Sequence, residues 1–513
     1  CKDMKKIIAT TVSVLIVLGL QSQTVDEALR YSRYNYLGST AKSTAMAGAL
    51  GAIGGDFSSL AINPAGIGIY RSGEFSITPS IYNANSKSLY LGNYEHGHKT
   101  KFNIGNYGLI IPIEAEGNAE SYGFEMFQIG LGVNRIENFH NDIRLQGYND
   151  KNSITTGWVD HLNNANPTFI FDDDGNPILN GLDTYSTALA WNTWLIDWAT
   201  DEQGNPYLFS DMYGGGVDQF VRLSSYGSMN EFDISGGFNW NDMMFLGATI
   251  GIPYFDYEEL YVIREQDATA EGHPYFSTMD YRTALRTSGS GVNFKIGTII
   301  KPVQFLRLGF AYHTPSLLNL TDDYEASMET HIDLSGNYQY ERFNDIAYSY
   351  YEYSLVTPSR FIASLGLVIG NFATISADYE YADYSKTRYV SDDPWAFDEV
   401  NNMIKDNLTA SSCIRVGAEL SYNIFKLRGG YAYNTSPYAN ADYTANSPVD
   451  GSIHTFSLGA GLRFRSFYMD FGFANSSDQL IINPYSNNYA SYVQPAETDC
   501  WSRQYQLTLG FRF

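Results

Sequence analysis

A tryptophan-rich stretch is the first candidate for a ligand-binding surface. The sequence predicts an amphipathic helix over 184–200, with the apolar residues Leu189, Trp191, Trp194, Leu195 and Trp198. Trp191, Leu195 and Trp198 recur at the i, i+4, i+7 spacing of one helical face, with Trp194 beside them. Aromatic side chains line pockets that hold acyl chains or rings, so these four residues are predicted to bind a ligand. The alternative is that they pack the surrounding loop segments together.

Charged side chains in the C-terminal third form a second candidate group. They alternate with apolar residues and therefore share one face of the predicted strands. The cations are Arg415, Lys426, Arg428, Arg463 and Arg512, and the anions are Asp378, Glu380, Glu419 and Asp470. In a narrow interior these charges would pair and hold another segment in place. A guanidinium left unpaired, with Arg415 and Arg463 as candidates, could instead bind a carboxylate head group.

Metal binding has weaker support. Two acidic turns, 172–177 and 201–206, are rich in oxygen ligands but lack the spacing of a calcium loop, so we interpret them as turns. His96 and His98 would share a strand face and could contact a metal or haem iron, but a solvated pair is the simpler interpretation. Cys413 and Cys500 have no metal-ligand spacing, and whether they pair is left open.

Catalytic motifs are not found. The sequence contains no nucleophile elbow, zinc signature or phosphate-binding loop. We therefore predict no catalytic residue, no metal and no cofactor, and expect that the protein is not an enzyme.

The elements that position these residues are β-strands. From residue 73 onward the apolar pattern has period 2, as in Phe456 to Phe464 and Tyr505 to Phe513. Fourteen strands are predicted, at 73–84, 101–113, 124–138, 229–240, 243–265, 279–300, 304–321, 353–369, 372–386, 410–422, 425–434, 452–464, 467–476 and 501–513.

The connections between these strands alternate in length. Five even-numbered connections have two or three residues, and 114–123 is the longer exception. The odd-numbered connections are all longer, and the longest is 139–228. Short turns at one end and long loops at the other are typical of an outer-membrane barrel, whereas a soluble sandwich has no reason to sort its loops in this way. The fold class is therefore all-β, a fourteen-stranded antiparallel transmembrane barrel.

Composition agrees with this interpretation. The 513 residues carry a formal net charge of −24, with 15% aromatic and 17% charged residues. The aromatic content argues against disorder, and the acidic balance argues against nucleic-acid binding. A mean hydropathy of −0.25 argues against a bundle of membrane helices.

The N-terminal region contains two segments that do not alternate. A basic start and about fourteen apolar residues indicate a secretory signal peptide at 1–22. Residues 23–72 follow, with helices predicted at 26–31 and 39–53 and with Asp56 capping a short turn. This segment would be either an arm outside the barrel or a plug folded into its lumen.

The N-terminal region contains the small-residue stretch from Ser39 to Ala49, followed by Asp56 and by Asn63-Pro64-Ala65-Gly66 before the first strand. This sequence of features resembles the N-terminal hatch of FadL-type outer-membrane transporters. The resemblance implies three regions: a signal peptide at 1–22, a hatch at 23–72 inside the lumen and a barrel at 73–513. It also implies that Asn63, Pro64, Ala65 and Gly66 belong to a gating motif. A monomer in the outer membrane of a Gram-negative bacterium is expected, surrounded by lipid and lipopolysaccharide. The C-terminal strand, which ends on an aromatic residue, resembles the signal that the barrel-assembly machinery recognises.

The function that the resemblance implies is passive transport of hydrophobic or amphipathic small molecules, with long-chain fatty acids as the default. Such molecules would be captured on the outer loops and leave by hatch movement or through a gap in the wall. Haem or aromatic-compound uptake is an alternative. A barrel that serves as a partner in surface-protein secretion is another, and an outer-membrane enzyme is the least supported.

Overall fold

A computed structural model describes residues 23–114, 123–164, 169–171, 177–179, 181–269, 272–273, 275–393, 395–439, 451–485 and 493–513. The signal-peptide prediction for 1–22 and most of the turns at 114–123 and 172–177 lie outside the described residues. In this part of the chain fourteen strands form one closed antiparallel barrel. They are β1 Glu74–Tyr90, β2 Asn93–Glu114, β3 Phe124–Asn138 with its continuation Asn141–Asn149, β4 Val217–Trp240, β5 Met244–Asp267, β6 Phe276–Val303, β7 Leu306–His313 with Leu317–Ile332, β8 Glu341–Val356 with Arg360–Ile369, β9 Ala373–Asp383, β10 Ala410–Tyr422, β11 Phe425–Asn434, β12 Ile453–Arg463, β13 Phe467–Ile482 and β14 Ala496–Arg512.

Pairing between the first and last strands closes the barrel. The register of β1 against β14 runs from Glu74 opposite Arg512 to Leu89 opposite Glu497. Closure gives the first and last strands a neighbour on both sides, so neither leaves an open sheet edge in the bilayer. The outward-facing side chains are apolar and exposed, among them Ile250, Phe361 and Leu458. The fourteen-stranded barrel predicted from the sequence is therefore confirmed.

The short turns also agree with the prediction. Two-residue and three-residue connections join β4 to β5, β8 to β9 and β10 to β11, for example. Asn241 and Asn423 adopt positive φ angles in two of these turns, a conformation that asparagine tolerates better than most residues. We call this end of the barrel the short-turn end and the opposite end the loop end.

Several predicted loops are instead extensions of strands. The segment 85–100 was expected to be a loop, but β1 and β2 continue through it and meet at the turn Leu91-Gly92. Likewise β4 begins at Val217 rather than at 229, and β13 and β14 are longer than predicted. These extensions project beyond the apolar band, so polar residues occupy both faces and the alternation that marks a strand in a bilayer is lost.

Other helices and short strands complete the loop end. Helices α4 Ile154–Asn164 and α5 Thr187–Asn192 lie between β3 and β4, and α6 Asp398–Asn407 lies between β9 and β10. Two small hairpins also lie between β3 and β4, and the strand Arg388–Val390 pairs with β8. Among the described helices, none is long and apolar enough to span a membrane.

The N-terminal segment lies inside the barrel. It contains α1 Val25–Ser32, α2 Ala41–Ala45 and α3 Ser59–Ile62, with 3₁₀ segments at Tyr36–Gly38 and Pro64–Ile69. The helix predicted over 39–53 is wrong in length, because only five residues of it are helical. Ala47 and Gly48 have positive φ angles, which end α2.

Candidate functional site

A cavity of about 1560 Å³ lies at the loop end, between α1 and the helices α4 and α6. Apolar and aromatic side chains from distant parts of the chain line it. They include Leu29 from α1, Trp158 from α4, Tyr257 from β5 and Met403 from α6. A concave site of this size and composition can hold a small hydrophobic molecule.

Helix α1 forms one wall of this cavity. Thr24 and Glu27 make a capping box, which satisfies two backbone donors at the start of the helix. The Tyr31 ring stacks on Phe255, with 4.8 Å between the ring centroids, and fixes the helix against the barrel wall. Burial raises the pKa of Asp26 to about 6, although the Tyr438 hydroxyl donates a hydrogen bond to its carboxylate at 2.9 Å.

The Asn-Pro-Ala motif lies at the other end of the hatch, near the short-turn end. Asn63 caps the 3₁₀ segment, since its Oδ1 accepts a hydrogen bond from the Ala65 backbone N–H at 3.1 Å and Pro64 follows at the first position. Its Nδ2 donates to the Gly51 carbonyl at 2.7 Å and to the Thr298 carbonyl of β6 at 3.3 Å. Asn63 therefore joins two parts of the hatch to the wall.

Gly66 and several wall glycines let the hatch fit closely. A Cβ at Gly66 would overlap with Ser59, because the two hatch segments touch there. On the wall, a Cβ at Gly247 would overlap with the Pro64 carbonyl, and one at Gly472 would overlap with the Ala41 carbonyl. Inward-facing glycines of the wall thus leave room for the hatch backbone.

Asp56 binds two other hatch residues. Its Oδ1 accepts hydrogen bonds from the Thr40 hydroxyl at 2.6 Å and from the Ser58 backbone N–H at 3.0 Å. The predicted capping role is confirmed, and the same carboxylate also ties α2 to the following turn.

The inward-facing charges pair with one another. Arg415 donates to Glu380 at 2.7 Å, and its guanidinium lies 5.4 Å from the centre of the Tyr36 ring of the hatch. Arg463 makes a two-point ion pair with Asp470. The other predicted members also form ion pairs, namely Arg428 with Glu419 and Asp470, Lys426 with Glu419, and Arg512 with Glu74.

These pairs favour the structural alternative for the charged group. Asp378, which is also inward-facing, accepts a hydrogen bond from the Gly51 backbone N–H of the hatch at 2.9 Å. Neither Arg415 nor Arg463 lines the cavity. A head-group role for these two arginines therefore stays a prediction.

The tryptophan-rich stretch does not form the predicted helix. Helix α5 covers only Thr187–Asn192, Trp194 has a positive φ angle, and Trp198 lies in a short strand. Leu195 is buried, and Trp191 and Trp198 pack against the same apolar cluster of the loop end, whereas Trp194 is 45% exposed. None of the four lines the cavity, and their ligand-binding role stays a prediction.

Three other tryptophans line the cavity. Trp158, Trp395 and Trp501 come from α4, the loop before α6 and β14. Sequence reasoning missed them because they are isolated in the sequence and share no periodic pattern. The helix predicted at 26–31 is confirmed as α1, Val25–Ser32, but its place in the cavity wall was not predicted.

The pairing between β2 and β3 stops part-way along the wall, and the hatch residues Gly38 and Ser39 lie against Gly105 of β2 and Arg135 of β3 at this gap. Their ladder ends where Asn106 pairs with Asn134, and β3 is interrupted between Asn138 and Asn141. On the loop-end side of the gap, the Lys99 ammonium group joins β2 to β3 by donating a hydrogen bond to the Asn141 carbonyl at 2.9 Å. Residues 137–141 beside the gap also line the cavity, so the cavity and the gap share one boundary.

Residues considered for metal binding have other contacts. The His98 ring is within hydrogen-bond distance of Asn83, Asn85 and Thr100. Asp201 accepts backbone hydrogen bonds from Gln203 and Asn205, as a turn residue does. Across the described part of the chain, no His, Cys, Asp and Glu residues cluster closely enough to hold a metal, and both cysteines are free thiols.

The chain is similar to a known family of outer-membrane proteins. The family model described as outer membrane protein transport protein (OMPP1/FadL/TodX) matches residues 209–500. No curated protein is significantly similar to the chain.

Two solved structures share the fold at low sequence identity. A Pseudomonas aeruginosa FadL homologue is 13% identical, with 93% of this chain and 98% of that chain covered and a TM-score of 0.52. The P. putida toluene transporter TodX is 11% identical, with 93% and 99% covered and a TM-score of 0.53. Such identities support the fold alone.

Proposed function

Because the chain belongs to the outer membrane protein transport protein family (OMPP1/FadL/TodX), we propose that its loop-end cavity captures hydrophobic or amphipathic small molecules and passes them inward. The protein is a β-barrel of the Gram-negative outer membrane, and its family is one of transport channels for hydrophobic compounds. The loop end accordingly faces the outside of the cell. Passage needs no energy source, since a ligand can move down its own concentration gradient.

The cavity is the observation that carries this proposal. Its wall combines apolar side chains from the barrel with the face of α1, so a bound molecule would touch the hatch directly. Burial of an apolar ligand there would contribute about 25 cal/mol per Å² of apolar surface removed from water.

Two exits from the cavity are consistent with the geometry. The gap between β2 and β3 borders the cavity through residues 137–141 and opens beside the outward-facing Phe102 and Ile104. The hatch closes the second exit, toward the periplasm. We propose the wall gap as the route, because only the hatch residues beside it, which bond β3 through Asn35 and Ser39, need to move there. The second exit requires displacement of the whole hatch, which further hydrogen bonds and an ion pair hold.

The resemblance implies two classes of ligand. Long-chain fatty acids are the default, and aromatic compounds are the alternative that the toluene transporter suggests. Haem is a third candidate. All have an apolar body that the cavity can bury, and they differ in the head group.

A binding measurement with a blocked cavity tests the proposal. Ala84 lines the cavity, whereas Ala363 is exposed on the outer face of the barrel wall. We expect A84W to reduce binding of the hydrophobic dye N-phenyl-1-naphthylamine to the protein in nanodiscs by about tenfold. The matched variant A363W should bind as the unmodified protein does. Equal binding by all three proteins, or no binding beyond that of empty nanodiscs, would contradict the proposal.

A further inference from the structure

The first segment of β8, Glu341–Val356, has an open edge at the loop end. One side of it pairs with β7 along its whole length. On the other side only 354–356 pair, with the strand Arg388–Val390. Within the described residues, 341–353 therefore have one neighbouring strand, and we call this stretch the β8 edge. Its outward neighbours on β7 include Asp323 and Glu325, so it lies beyond the apolar band of the barrel.

Two hydrogen bonds show which backbone groups face the open side of the β8 edge. Just after the segment, the Thr357 N–H donates to the Ser316 carbonyl at 3.0 Å, in the same register that pairs β8 with β7. Backbone groups alternate in direction along an antiparallel strand, so the odd-numbered residues point toward β7. The Ile346 N–H, at an even position, donates instead to the Asp345 side chain at 2.8 Å. The backbone groups of Asn344, Tyr348 and Tyr350 therefore also face away from β7.

The β8 edge lacks the features that usually keep an edge strand from pairing. Proteins protect such edges with Lys, Pro or a bulge. Residues 346–351, Ile-Ala-Tyr-Ser-Tyr-Tyr, contain no charged residue and no Pro, and the register against β7 is unshifted throughout. By comparison, β2 carries Lys99 and Lys101 in the stretch where its pairing with β3 has stopped. The β8 edge is therefore open to a further strand.

The loop end holds the β8 edge rigidly from its inner side. The Asn192 side chain, at the end of α5, donates to the Asp345 carboxylate at 2.7 Å. The Trp194 ring lies 6.5 Å from the ring of Phe343, measured between centroids. On the outer side, the Tyr348 and Tyr350 side chains are 67% and 62% exposed. A partner strand would therefore meet an edge that is already ordered, which reduces the entropic cost of binding.

Carboxylates dominate the surroundings of the β8 edge. They belong to Asp323, Glu325, Glu341 and Glu352. The guanidinium of Arg342 is already paired with Glu329 at 2.7 Å. A second copy of the chain would bring the same carboxylates to the interface, and like charges on paired strands are unfavourable. A strand with basic side chains complements the edge instead.

We propose that the β8 edge binds an extended peptide segment of another protein, in which basic and apolar side chains alternate, as an added β-strand. Main-chain hydrogen bonds at Asn344, Ile346, Tyr348 and Tyr350 hold the segment, and the neighbouring carboxylates select its basic side chains. Because the loop end faces the outside of the cell, the partner is one that reaches the cell surface. This interaction goes beyond transport and does not involve the cavity.

Three synthetic peptides test strand addition. The first alternates lysine and valine over about ten residues, the second has glutamate in place of lysine, and the third is the lysine peptide with a methyl group on every backbone nitrogen. Their affinities are measured by fluorescence anisotropy on the full chain in zwitterionic nanodiscs, with empty nanodiscs as the blank. We expect the lysine peptide to bind at least about tenfold more tightly than either of the others, because only it combines backbone donors with complementary charge.

Hydrogen exchange locates the bound peptide. The amides of Asn344, Tyr348 and Tyr350 should exchange at least about tenfold more slowly when the lysine peptide is bound. The amides of Ala347 and Ser349 should change little, because they already face β7.

Variants assign binding to the β8 edge. Y348K/Y350K places lysines on the edge and should weaken binding of the lysine peptide about tenfold. The matched control Y94K/Y148K adds the same charge at two other exposed tyrosines of the loop end and should bind the peptide as the unmodified protein does.

Four results would overturn the proposal. Equal binding of the lysine peptide and its N-methylated form would mean that no strand is added, and protection confined to other residues would mean that the peptide binds elsewhere. Slow exchange of Asn344, Tyr348 and Tyr350 in the free protein would mean that the chain itself covers the edge. A dimer in analytical ultracentrifugation that Y348K/Y350K abolishes would identify a second copy as the occupant. None of these results affects the dye-binding test of the cavity.

Discussion

Replacing Asn63 by alanine tests how the hatch is held. The side chain is fully buried and makes three hydrogen bonds, two from Nδ2 to the Gly51 and Thr298 carbonyls and one to Oδ1 from the Ala65 backbone. A buried hydrogen bond contributes roughly 1 kcal/mol net, and a buried partner left unsatisfied costs roughly 1–3 kcal/mol. N63A should therefore destabilise the docked hatch by about 3 kcal/mol.

That free energy corresponds to an increase of roughly 150-fold in the equilibrium constant for local opening. Hydrogen exchange measures this directly, because the amides of Gly54, Gly55 and Gly66 form hydrogen bonds within the hatch. Their exchange should accelerate by about that factor in N63A, whereas the amides of β10 and β11 should not change. The control N192A removes an exposed asparagine at the loop end and should leave the hatch amides unaffected.

Two results would refute this reasoning. Unchanged exchange of the three hatch amides would mean that Asn63 does not hold the hatch. Equal acceleration in β10 and β11 would mean that the whole barrel, rather than the hatch, had been destabilised.

Two further predictions concern the same hatch. Burial raises the pKa of Asp26 from 3.8 to about 6, so protonation of this carboxyl favours the docked form of α1. Protection factors of the α1 amides, corrected for the intrinsic pH dependence of exchange, should therefore fall as the pH rises from about 4 to about 6 and then level off. D26N should remove that dependence, and a flat profile for the unmodified protein would contradict the assignment. G247L should push a side chain against the Pro64 carbonyl, displace the base of the hatch and increase ion conductance in planar bilayers. G236A should conduct like the unmodified barrel, because a Cβ there would lie 4.0 Å from its nearest neighbour, the Gln128 carbonyl, which is an ordinary contact. Equal conductance of both variants would argue against close packing at that point.

The barrel strands could be predicted because their two faces meet different surroundings. The boundaries of β10 and β11 agree with the prediction residue by residue, since both strands alternate fully and a two-residue turn joins them. The alternation stops where strands leave the apolar band, as in β1 and β2 beyond residue 84. In these extensions the strands are held by pairing with their partner strands, and the apolar and polar residues of each strand do not alternate.

The hatch and the cavity show a different limit of prediction. The Asn-Pro-Ala motif was recognised through its resemblance to the hatch of FadL-type transporters, whereas the capping role of Asn63 appears only in the structure. By contrast, the residues from Ala41 to Ile53 owe their path to contacts with wall glycines far along the sequence. The cavity is assembled from α1, α4, α6 and several strands, and a stretch such as the one around Trp191 cannot reveal which tryptophans converge in space.

The central claim is that a hydrophobic ligand occupies the loop-end cavity, and photochemical cross-linking tests it most directly. A diazirine-bearing phenylalkyl probe is irradiated with the purified protein in nanodiscs, and the labelled residues are identified by mass spectrometry. The account predicts labels at cavity residues such as Trp158, Tyr257 and Met403, which excess unlabelled ligand should suppress. Labels confined to lipid-facing residues such as Phe361 and Leu458, unaffected by competitor, would contradict it.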